Sequence, residues 1–380
     1  MANQEQFNVG IVGYGLSAKI FHIPFIARTP ALKLHSILQR TPTADNSAPA
    51  DHPDLHHHTA IDPLLADPAL DIVILCTPPN THYPLAHAAL LARKHVLVEK
   101  PFVPTAAEAR DLAALAARQR RVLSVYQNRR WDADFLTVRR LLRRGALGRV
   151  VEFETHFDRL RLAAPAAAGV GVGGGMGWKG RLGMAEGGGV VYDLGTHLVD
   201  QVVVLFGVPT GVFARLVQQR EGRLVTGAGE EGREPDGVTA VLSYAETGLV
   251  VYVRIGVVSV ESRQVRFWVR GTEGSYHKTG LDPQEGQLRG GAKTTDAGFG
   301  REDESMAGRL CLLGEDGVVR DEACPNVEPE TYLRFYELFA KAVASGDEKD
   351  VPVPASEAAQ VLRVIEAIKE SAKTGREVAP

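Results

Sequence analysis

Cysteine is scarce in this sequence. Cys76, Cys311 and Cys324 are the only three among 380 residues, an odd number at wide spacings. That pattern argues against a disulfide framework and against a cysteine zinc site, and it is typical of a reducing compartment. We therefore expect a cytoplasmic protein.

An excess of charge of either sign is also missing, as are long apolar runs. The formal net charge is −3, so nothing in the charge balance favours a nucleic-acid or anionic-membrane partner. No apolar run reaches membrane-spanning length, and the short polar lead at residues 1–7 carries no targeting pattern. We expect no membrane partner and no metal ligand set.

The composition and length are those of an ordinary globular protein with more than one domain. Hydrophobic residues make up 44% and charged residues 23% of the 380 positions. Short apolar runs alternate with helical patterns as far as residue 126, which predicts a doubly wound parallel sheet. The runs predicted as strands there are 7–12, 32–38, 70–76, 95–98 and 121–126.

The first strand leads into a glycine motif of the kind that binds dinucleotides. Its residues are Gly13, Tyr14, Gly15, Leu16, Ser17 and Ala18, and a helical pattern follows. In this context the first glycine permits a tight turn, the second admits a pyrophosphate, and the small third residue lets helix and strand pack closely. The backbone N–H groups at the helix start would hold the pyrophosphate.

The end of the second strand bears on which nicotinamide cofactor binds. NAD-binding proteins usually carry an acidic side chain there for the ribose, whereas this chain has Gln39 and Arg40. An arginine can meet a 2′-phosphate, so we expect NADP, with NAD possible. Residues 42–58 are polar and predict a loop, whose three histidines at 56–58 we expect to be exposed to solvent and to bind no metal.

Two further strand ends supply candidate site residues. Thr77, Pro78, Asn80 and His82 follow the 70–76 strand, and ligands of parallel sheets bind beyond such carboxyl ends. The 95–98 strand ends in Glu99-Lys100-Pro101, which places a lysine where it can face a bound nicotinamide.

The second half contains a carboxylate and an imidazole four residues apart. Asp193 and His197 lie between three glycines at 187–189 and an apolar run at 202–206. On one continuous helix, residues i and i+4 share a face, so we predict that the two side chains point the same way.

The remainder of the second half predicts a mostly antiparallel sheet in an α+β domain. Glycine-rich turns separate strand-like runs at 149–155, 211–219, 238–244, 248–257, 264–270 and 275–278. Residues 221–236 and 284–308 predict loops. Ser356 is expected to cap a last helix that Gly375 ends.

Three widely spaced motifs carry a resemblance to a known family. They are Gly13 to Ala18, Glu99-Lys100-Pro101 and Asp193-x-x-x-His197. With them the chain resembles the Gfo/Idh/MocA oxidoreductases over nearly its whole length. Residues 21–22, 126–137, 192–201 and 280–285 are similar to one branch, the NADP-dependent scyllo-inositol 2-dehydrogenases.

The resemblance implies roles for individual residues. Lys100 is the catalytic lysine, followed by a cis peptide bond to Pro101, and Asp193 and His197 bind substrate and transfer the proton. Asn128 and Trp178 lie near the nicotinamide, and Glu99 belongs to the cofactor site. The chain departs from the branch in two places. Members of the branch often have Trp-Arg where this chain has Trp178-Lys179. Residues 163–177 form a longer Ala/Gly-rich connection, which is either a lid or an insertion.

The resemblance also implies an organisation and an activity. Residues 1–128 form the Rossmann domain, 129–350 the α+β substrate and oligomerisation domain, and 351–380 a C-terminal helix and tail. A homodimer or homotetramer forms through the second sheet. The reaction is hydride transfer between NADP and a secondary alcohol of a cyclic polyol or sugar.

Several alternatives stay open at this point. His197 is the candidate base with Lys100 stabilising the substrate oxygen, or the two exchange roles. The substrate could be an aldose oxidised at its anomeric carbon. A different class is a non-catalytic nucleotide-binding sensor, of which the galactose-regulon repressor of yeasts is an example. Retention of Lys100, Asp193 and His197 favours an enzyme.

Overall fold

A computed structural model describes residues 6–161, 181–226 and 234–380 of the protein. Its strands, numbered along the chain, are β1 (Phe7–Val12), β2 (Leu32–Leu38), β3 (His56–His58), β4 (Ile72–Leu75), β5 (His95–Val98), β6 (Leu123–Val125), β7 (Val150–Asp158), β8 (Gly211–Gln218), β9 (Arg223–Val225), β10 (Gly237–Tyr244), β11 (Leu249–Gly256), β12 (Val265–Gly271), β13 (Gly274–Thr279), β14 (Gly308–Leu313) and β15 (Val319–Cys324).

The α-helices of the described residues are numbered in the same way. They are α1 (Ile23–Ile26), α2 (Ala48–Asp51), α3 (Ile61–Leu65), α4 (His82–Leu91), α5 (Ala106–Gln119), α6 (Ala133–Arg143), α7 (Gly189–Asp193), α8 (Gly195–Phe206), α9 (Gln284–Arg289), α10 (Leu333–Ser345) and α11 (Ala355–Thr374). A π-helix, Ala18–His22, precedes α1 directly.

The chain divides into two compact units, each assembled from separate stretches. The first unit contains Met1–Asn128, Glu285–Phe299 and Glu330–Ala359, and the second contains Arg129–Gln284, Gly300–Pro329 and Gln360–Pro380. The domain limits given by the sequence, 1–128, 129–350 and 351–380, remain predictions.

The first unit holds a six-stranded sheet in the order β3-β2-β1-β4-β5-β6, and every adjacent pair is parallel. All four residues of β4 are buried, as expected where helices cover both faces of a parallel sheet. A capping box between Thr105 and Glu108 starts α5. The predicted doubly wound parallel sheet is confirmed.

The prediction of a loop over residues 42–58 is wrong in two places. Ser47 caps the short helix α2, and His56–His58 form strand β3, which pairs with β2 at the sheet edge. Of the three histidines only His56 is exposed, and His57 bonds to the carbonyl of His52 at 2.8 Å. A three-residue edge strand without apolar residues leaves no hydrophobic pattern for sequence analysis to find.

The second unit holds a nine-stranded sheet in the order β15-β14-β13-β12-β7-β11-β10-β8-β9. Only the β7–β11 pair is parallel among the pairs described, so the mostly antiparallel sheet is confirmed. In β12, Phe267 and Val269 are buried while Trp268 and Arg270 are exposed, which gives the sheet one packed face and one outer face.

Some elements of the second half differ from their predictions. Strands β9, β14 and β15 and helix α9 occupy stretches where the sequence predicted a loop or no element. Five of the six β15 residues are exposed, so no apolar alternation marks this strand. Helix α11 begins at Ala355, before Ser356, and ends as predicted ahead of Gly375, whose φ is +71°.

Within the described ranges, no single helix is long and apolar enough to cross a membrane. One bent pair, Met184–Asp193 with Gly195–Phe206, passes the same length and composition criteria.

Candidate active site

The turn after β1 has the backbone geometry that a bound dinucleotide requires. Gly13 has φ +98°, and a Cβ there would lie 2.8 Å from the Cys76 carbonyl oxygen, so only glycine fits. Gly15 is exposed, and the position of its missing Cβ has no atom within 4 Å. A phosphate could therefore approach the Gly15 backbone closely.

The residues that follow present backbone donors toward the same space. The Lys19 N–H bonds to the Gly15 carbonyl at 3.2 Å, so the N–H groups before Lys19 precede the first helical bond. Leu16 is 49% exposed, whereas Ala18 is fully buried against the strand, as the motif predicts. These residues fit a nicotinamide dinucleotide, whose pyrophosphate they would hold.

Tyr14, predicted as a cofactor residue, is hydrogen-bonded to the neighbouring loop and helix. Its hydroxyl donates to Asp51 Oδ2 at 2.7 Å, and its carbonyl accepts from Asn46 Nδ2 at 3.1 Å. Burial and the Asp51 carboxylate raise the Tyr14 pKa above its ordinary value. Tyr14 thus ties the glycine motif to helix α2 and stays protonated.

Gln39 and Arg40 have different environments at the end of β2. The buried Gln39 side chain accepts from the Ala48 N–H at 2.7 Å and donates to the Asn46 carbonyl at 2.8 Å, so it organises the loop. Arg40 is exposed, and within the described part of the chain its guanidinium makes no ion pair or hydrogen bond. Arg40 is therefore the side chain at this edge that can meet a ribose phosphate.

The residues after β4 flank the glycine turn. Thr81 Oγ1 lies 2.8 Å from Thr77 Oγ1 and 2.7 Å from the Pro78 carbonyl, and Asn80 is exposed. His82 is buried and acts as a brace between two strand ends. Its Nε2 lies 2.8 Å from the Thr77 carbonyl.

The other ring nitrogen of His82 reaches the segment after Lys100. Nδ1 lies 3.0 Å from the Pro101 carbonyl and 2.9 Å from that of Phe102. Burial lowers the His82 pKa, although its bonds to the carbonyls oppose the shift. The imidazole therefore fixes the backbone on either side of the candidate site.

Glu99 and Lys100 directly follow β5, and the Lys100–Pro101 peptide bond is cis, as predicted. Glu99 is buried, and its two carboxylate oxygens both accept bonds from protein groups. Oε2 accepts from the Lys100 backbone N–H at 2.9 Å, and Oε1 accepts from the Ser17 hydroxyl. The glycine motif and the candidate catalytic lysine are thus joined through one carboxylate.

The remaining predicted cofactor residues are described only in part. Asn128 is buried at the start of a 3-10 helix, Asn128–Trp131. Trp178, Lys179 and the predicted connection at 163–177 lie outside the described residues.

Asp193 and His197 do not share one continuous helix, so the single helix assumed in the sequence analysis is wrong. Asp193 ends α7 and His197 lies in the first turn of α8, and the two helical segments meet at Leu194 with a bend of 71°. The i,i+4 argument requires a continuous helix and does not apply across the bend. His197 is nearly buried, 5% exposed, at the start of α8.

Sequence analysis missed an aromatic side chain near His197 in the second unit and two arginines that lie against that aromatic ring. The Phe157 ring centroid lies 6.4 Å from that of His197. The guanidinium carbons of Arg129 and Arg159 lie 4.9 and 4.6 Å from the Phe157 centroid. The sequence signal that could have indicated Phe157 is its position in the apolar alternation of β7.

Buried charges explain several motifs behind the family resemblance. Arg130 binds both carboxylate oxygens of Asp200, at 2.7 and 2.8 Å. Arg266, fully buried in β12, bonds to Asp134 at 3.1 Å and to the Gln201 amide oxygen at 2.6 Å. These bonds link α6, α8 and the sheet, since a buried arginine needs paired acceptors.

A second set of buried acids lies beside these pairs. Asp132 pairs with Arg129 at 3.0 Å, and Asp282 accepts the backbone N–H groups of Ala133 and Gln284 at 2.8 and 3.0 Å. Burial raises the pKa of Asp132 to about 6, despite Arg129, and burial with the repulsion of Asp132 and Asp134 raises the pKa of Asp282 well above its usual range.

Comparisons with known proteins agree with this architecture. The family model "Oxidoreductase family, NAD-binding Rossmann fold" matches residues 7–127, and "Oxidoreductase family, C-terminal alpha/beta domain" matches residues 139–379. The uncharacterised oxidoreductase YdgJ of Escherichia coli is 38% identical over 97% of both chains.

Two further relatives are informative. The Bacillus subtilis protein IolW, named scyllo-inositol 2-dehydrogenase (NADP+), is 32% identical over 98% of this chain and 96% of its own. The solved structure of the oxidoreductase YvaA from Bacillus subtilis is 31% identical, with a TM-score of 0.87 over the whole of both chains. The protein therefore belongs to the Gfo/Idh/MocA family of oxidoreductases, with an NAD-binding Rossmann fold in its first half.

Proposed function

We propose that the protein is an NADP-dependent dehydrogenase that oxidises a secondary alcohol of a cyclic polyol, of the scyllo-inositol type. The observation that carries this proposal is the junction in the first unit, where Ser17 of the glycine motif and the backbone of Lys100 bond to the same Glu99 carboxylate. The link between this lysine and the glycine motif supports a role for Lys100 in chemistry beside the cofactor. The name borne by IolW supports the substrate class and NADP.

The chain's own groups would bind the cofactor as follows. The backbone around Gly15 would hold the pyrophosphate, and the exposed Arg40 would pair with the 2′-phosphate. The nicotinamide, when bound, supplies the acceptor for the hydride.

We assign proton handling to His197, Lys100 and Asp193. His197 takes the hydroxyl proton, since histidine titrates near working pH. Lys100 hydrogen-bonds the same oxygen and stabilises the charge that develops on it. Asp193 orients the substrate. In the alternative assignment Lys100 is the base and His197 stabilises the oxygen.

The experiment follows the absorbance of reduced nicotinamide while the protein is mixed with NADP or NAD and a panel of inositols, aldoses and sugar lactones. We expect turnover with scyllo- or myo-inositol and NADP. Lys100→Met should bind NADPH normally and lose at least about a hundredfold in kcat, the scale of a lost charge-stabilising donor.

Other results would redirect the proposal. Activity only with aldoses would move the substrate to the anomeric carbon of a sugar. Tight nucleotide binding without turnover on any member of the panel would favour the sensor. A Lys100→Met protein with normal turnover would contradict both assignments of the base.

A further inference from the structure

The buried carboxylate of Glu99 is held by an imidazole that none of the proposed roles uses. His22 has no exposed surface, and its Nε2 lies 3.0 Å from Glu99 Oε1, the oxygen that also accepts from Ser17. Together with the Lys100 N–H on Oε2, Glu99 has three polar partners, two from the π-helix turn and one from the segment after β5.

The imidazole is itself fixed by a tyrosine from the C-terminal part of the first unit. Tyr336 of α10 places its hydroxyl oxygen 2.6 Å from His22 Nδ1. The Tyr126 ring centroid lies 4.6 Å from the imidazole, and its hydroxyl donates to the Phe21 carbonyl at 2.9 Å. Polar contacts therefore connect Tyr336 through His22 and Glu99 to the Lys100 backbone, and we call this set of residues the His22 row.

The backbone at His22 has an unusual form. Residues Ala18–His22 make a π-helix, closed by a bond from the Ile23 N–H to the Ala18 carbonyl. Such turns are rare and are often found at functional sites. Here the π turn ends at the residue whose ring reaches Glu99.

The charge on Glu99 depends on this row. Burial would raise the Glu99 pKa, but the hydrogen bond and charge of His22, the Ser17 hydroxyl and the nearby Lys100 lower it below its ordinary value. By reciprocity, an ionised Glu99 favours the ammonium form of Lys100. Loss of His22 would remove the hydrogen bond and charge that most oppose burial, so the Glu99 pKa would rise.

We propose that His22 and Tyr336 are positioning residues that act through Glu99, which they keep ionised and fixed so that it holds the backbone and the charge state of Lys100. The inference rests on the proposed function in one respect, the role of Lys100 in turnover. Its effect on the ionisation of Glu99 and Lys100 can be measured without a substrate.

The test compares four single variants and one double variant of the full-length protein. His22→Phe keeps a ring of similar size and removes both nitrogens, whereas His22→Gln keeps a donor for Glu99. Tyr336→Phe removes only the hydroxyl. Glu99→Gln identifies the infrared signal of the carboxyl group and serves as its reference.

The first readout is substrate-free. In the His22→Phe minus wild-type infrared difference spectrum at pH 7 we expect an additional carbonyl band of a protonated carboxyl, and we expect no such band when the His22→Phe/Glu99→Gln double variant is compared with Glu99→Gln. Trace acetylation of Lys100 should shift to lower pH in His22→Phe and return toward the wild-type profile in His22→Gln. Identical labelling profiles in the wild type and His22→Phe would overturn the inference.

The second readout is kinetic. We expect kcat to fall about ten- to a hundredfold in His22→Phe, the scale of a misplaced reacting group, with KM for the polyol changed less than about threefold. His22→Gln should recover most of kcat, and Tyr336→Phe should lie between His22→Phe and the wild type. A protonated Glu99 with unchanged kcat would overturn the inference. A wild type that turns over no polyol, while the labelling shift is present, would refute the proposed function and support this one.

Discussion

Arg40 is the exposed cation at the end of β2, while the neighbouring Gln39 is committed to the loop backbone. This division leaves one residue to distinguish NADP from NAD. A 2′-phosphate would form charge-assisted bonds with the guanidinium, and a free ribose hydroxyl would not.

Arg40→Glu should therefore weaken NADPH binding about ten- to a hundredfold, the equivalent of about 1.5–3 kcal/mol, and leave NADH binding nearly unchanged. Fluorescence titration with both cofactors measures the two Kd values. Arg118→Glu on the exposed face of α5 makes the same charge change away from β2 and should alter neither. Equal losses of NADPH affinity in the two variants would remove Arg40 from the site.

Two glycines of one motif have separable purposes. Gly13 is required by its own backbone, since its φ is +98° and a Cβ would meet the Cys76 carbonyl. A Cβ at Gly15 would meet no atom within 4 Å, so the fold does not require glycine there, and we propose that the open space admits a ligand.

Gly13→Ala should lower the free energy of unfolding by about 1–3 kcal/mol, the cost of a non-glycine residue in a strained region. Gly15→Val should unfold within about 0.5 kcal/mol of the wild type, as an exposed substitution does, yet lose at least about tenfold in NADPH affinity. Urea unfolding and nucleotide titration of both variants provide the comparison. Normal NADPH binding by Gly15→Val would mean that the phosphates do not pass this backbone.

At the scale of elements, sequence analysis succeeded where local signals were strong. Strands β1, β2 and β5 were predicted to the residue, because apolar runs mark their extent. Strands β3 and β15 were missed because edge strands with few apolar residues have no such pattern.

The bend between α7 and α8 shows a different limit. Gly189 to Phe206 is apolar enough for one helix, and only the three-dimensional packing breaks it at Leu194. Spacing and family resemblance identified Asp193 and His197 as candidate residues. Neither could show that the two residues lie on separate helices. The His22 row was also beyond sequence reasoning, since its members come from positions 22, 99 and 336.

The acids at the start of α6 give the second unit a predicted pH dependence. Asp132 has its pKa raised from 3.8 to about 6 in the folded protein, so folding favours its protonated form. That contribution to stability is complete below pH of about 4 and is lost as pH rises through about 6.

Asp132→Asn should remove this step, because an amide keeps the shape of the protonated acid without its titration. We expect the stability difference between variant and wild type to shift in favour of the variant by on the order of 1–3 kcal/mol between pH 4 and 7. Urea unfolding across that range measures it, with the exposed Asp45→Asn as control. A constant difference from pH 4 to 7 would show that Asp132 does not carry the proton.

At the scale of the whole molecule, we propose a homodimer or homotetramer that forms through the outer face of the nine-stranded sheet. Trp268 is 41% exposed on β12 between the buried Phe267 and Val269. A large aromatic on an outer face is a frequent anchor of protein interfaces.

Trp268→Glu should weaken self-association at least about tenfold, since a carboxylate would lose its water in the interface. Analytical ultracentrifugation over a concentration series gives the association constants. Val260→Glu, which alters an 85% exposed residue beyond β11, is the matched control and should associate like the wild type. A monomeric wild type, or a Trp268→Glu protein that assembles normally, would contradict the proposed interface.

Hydride transfer from a polyol carbon to NADP is the central claim, and isotope transfer tests it most directly. The protein would be incubated with NADP and scyllo-inositol deuterated at its ring carbons, and the reduced cofactor analysed by mass spectrometry and NMR. We predict one deuterium on nicotinamide C4, on a single face, and a rate of deuterium transfer at least about a hundredfold lower with Lys100→Met. Reduced cofactor without deuterium, or no reduction while NADP is bound, would contradict the account.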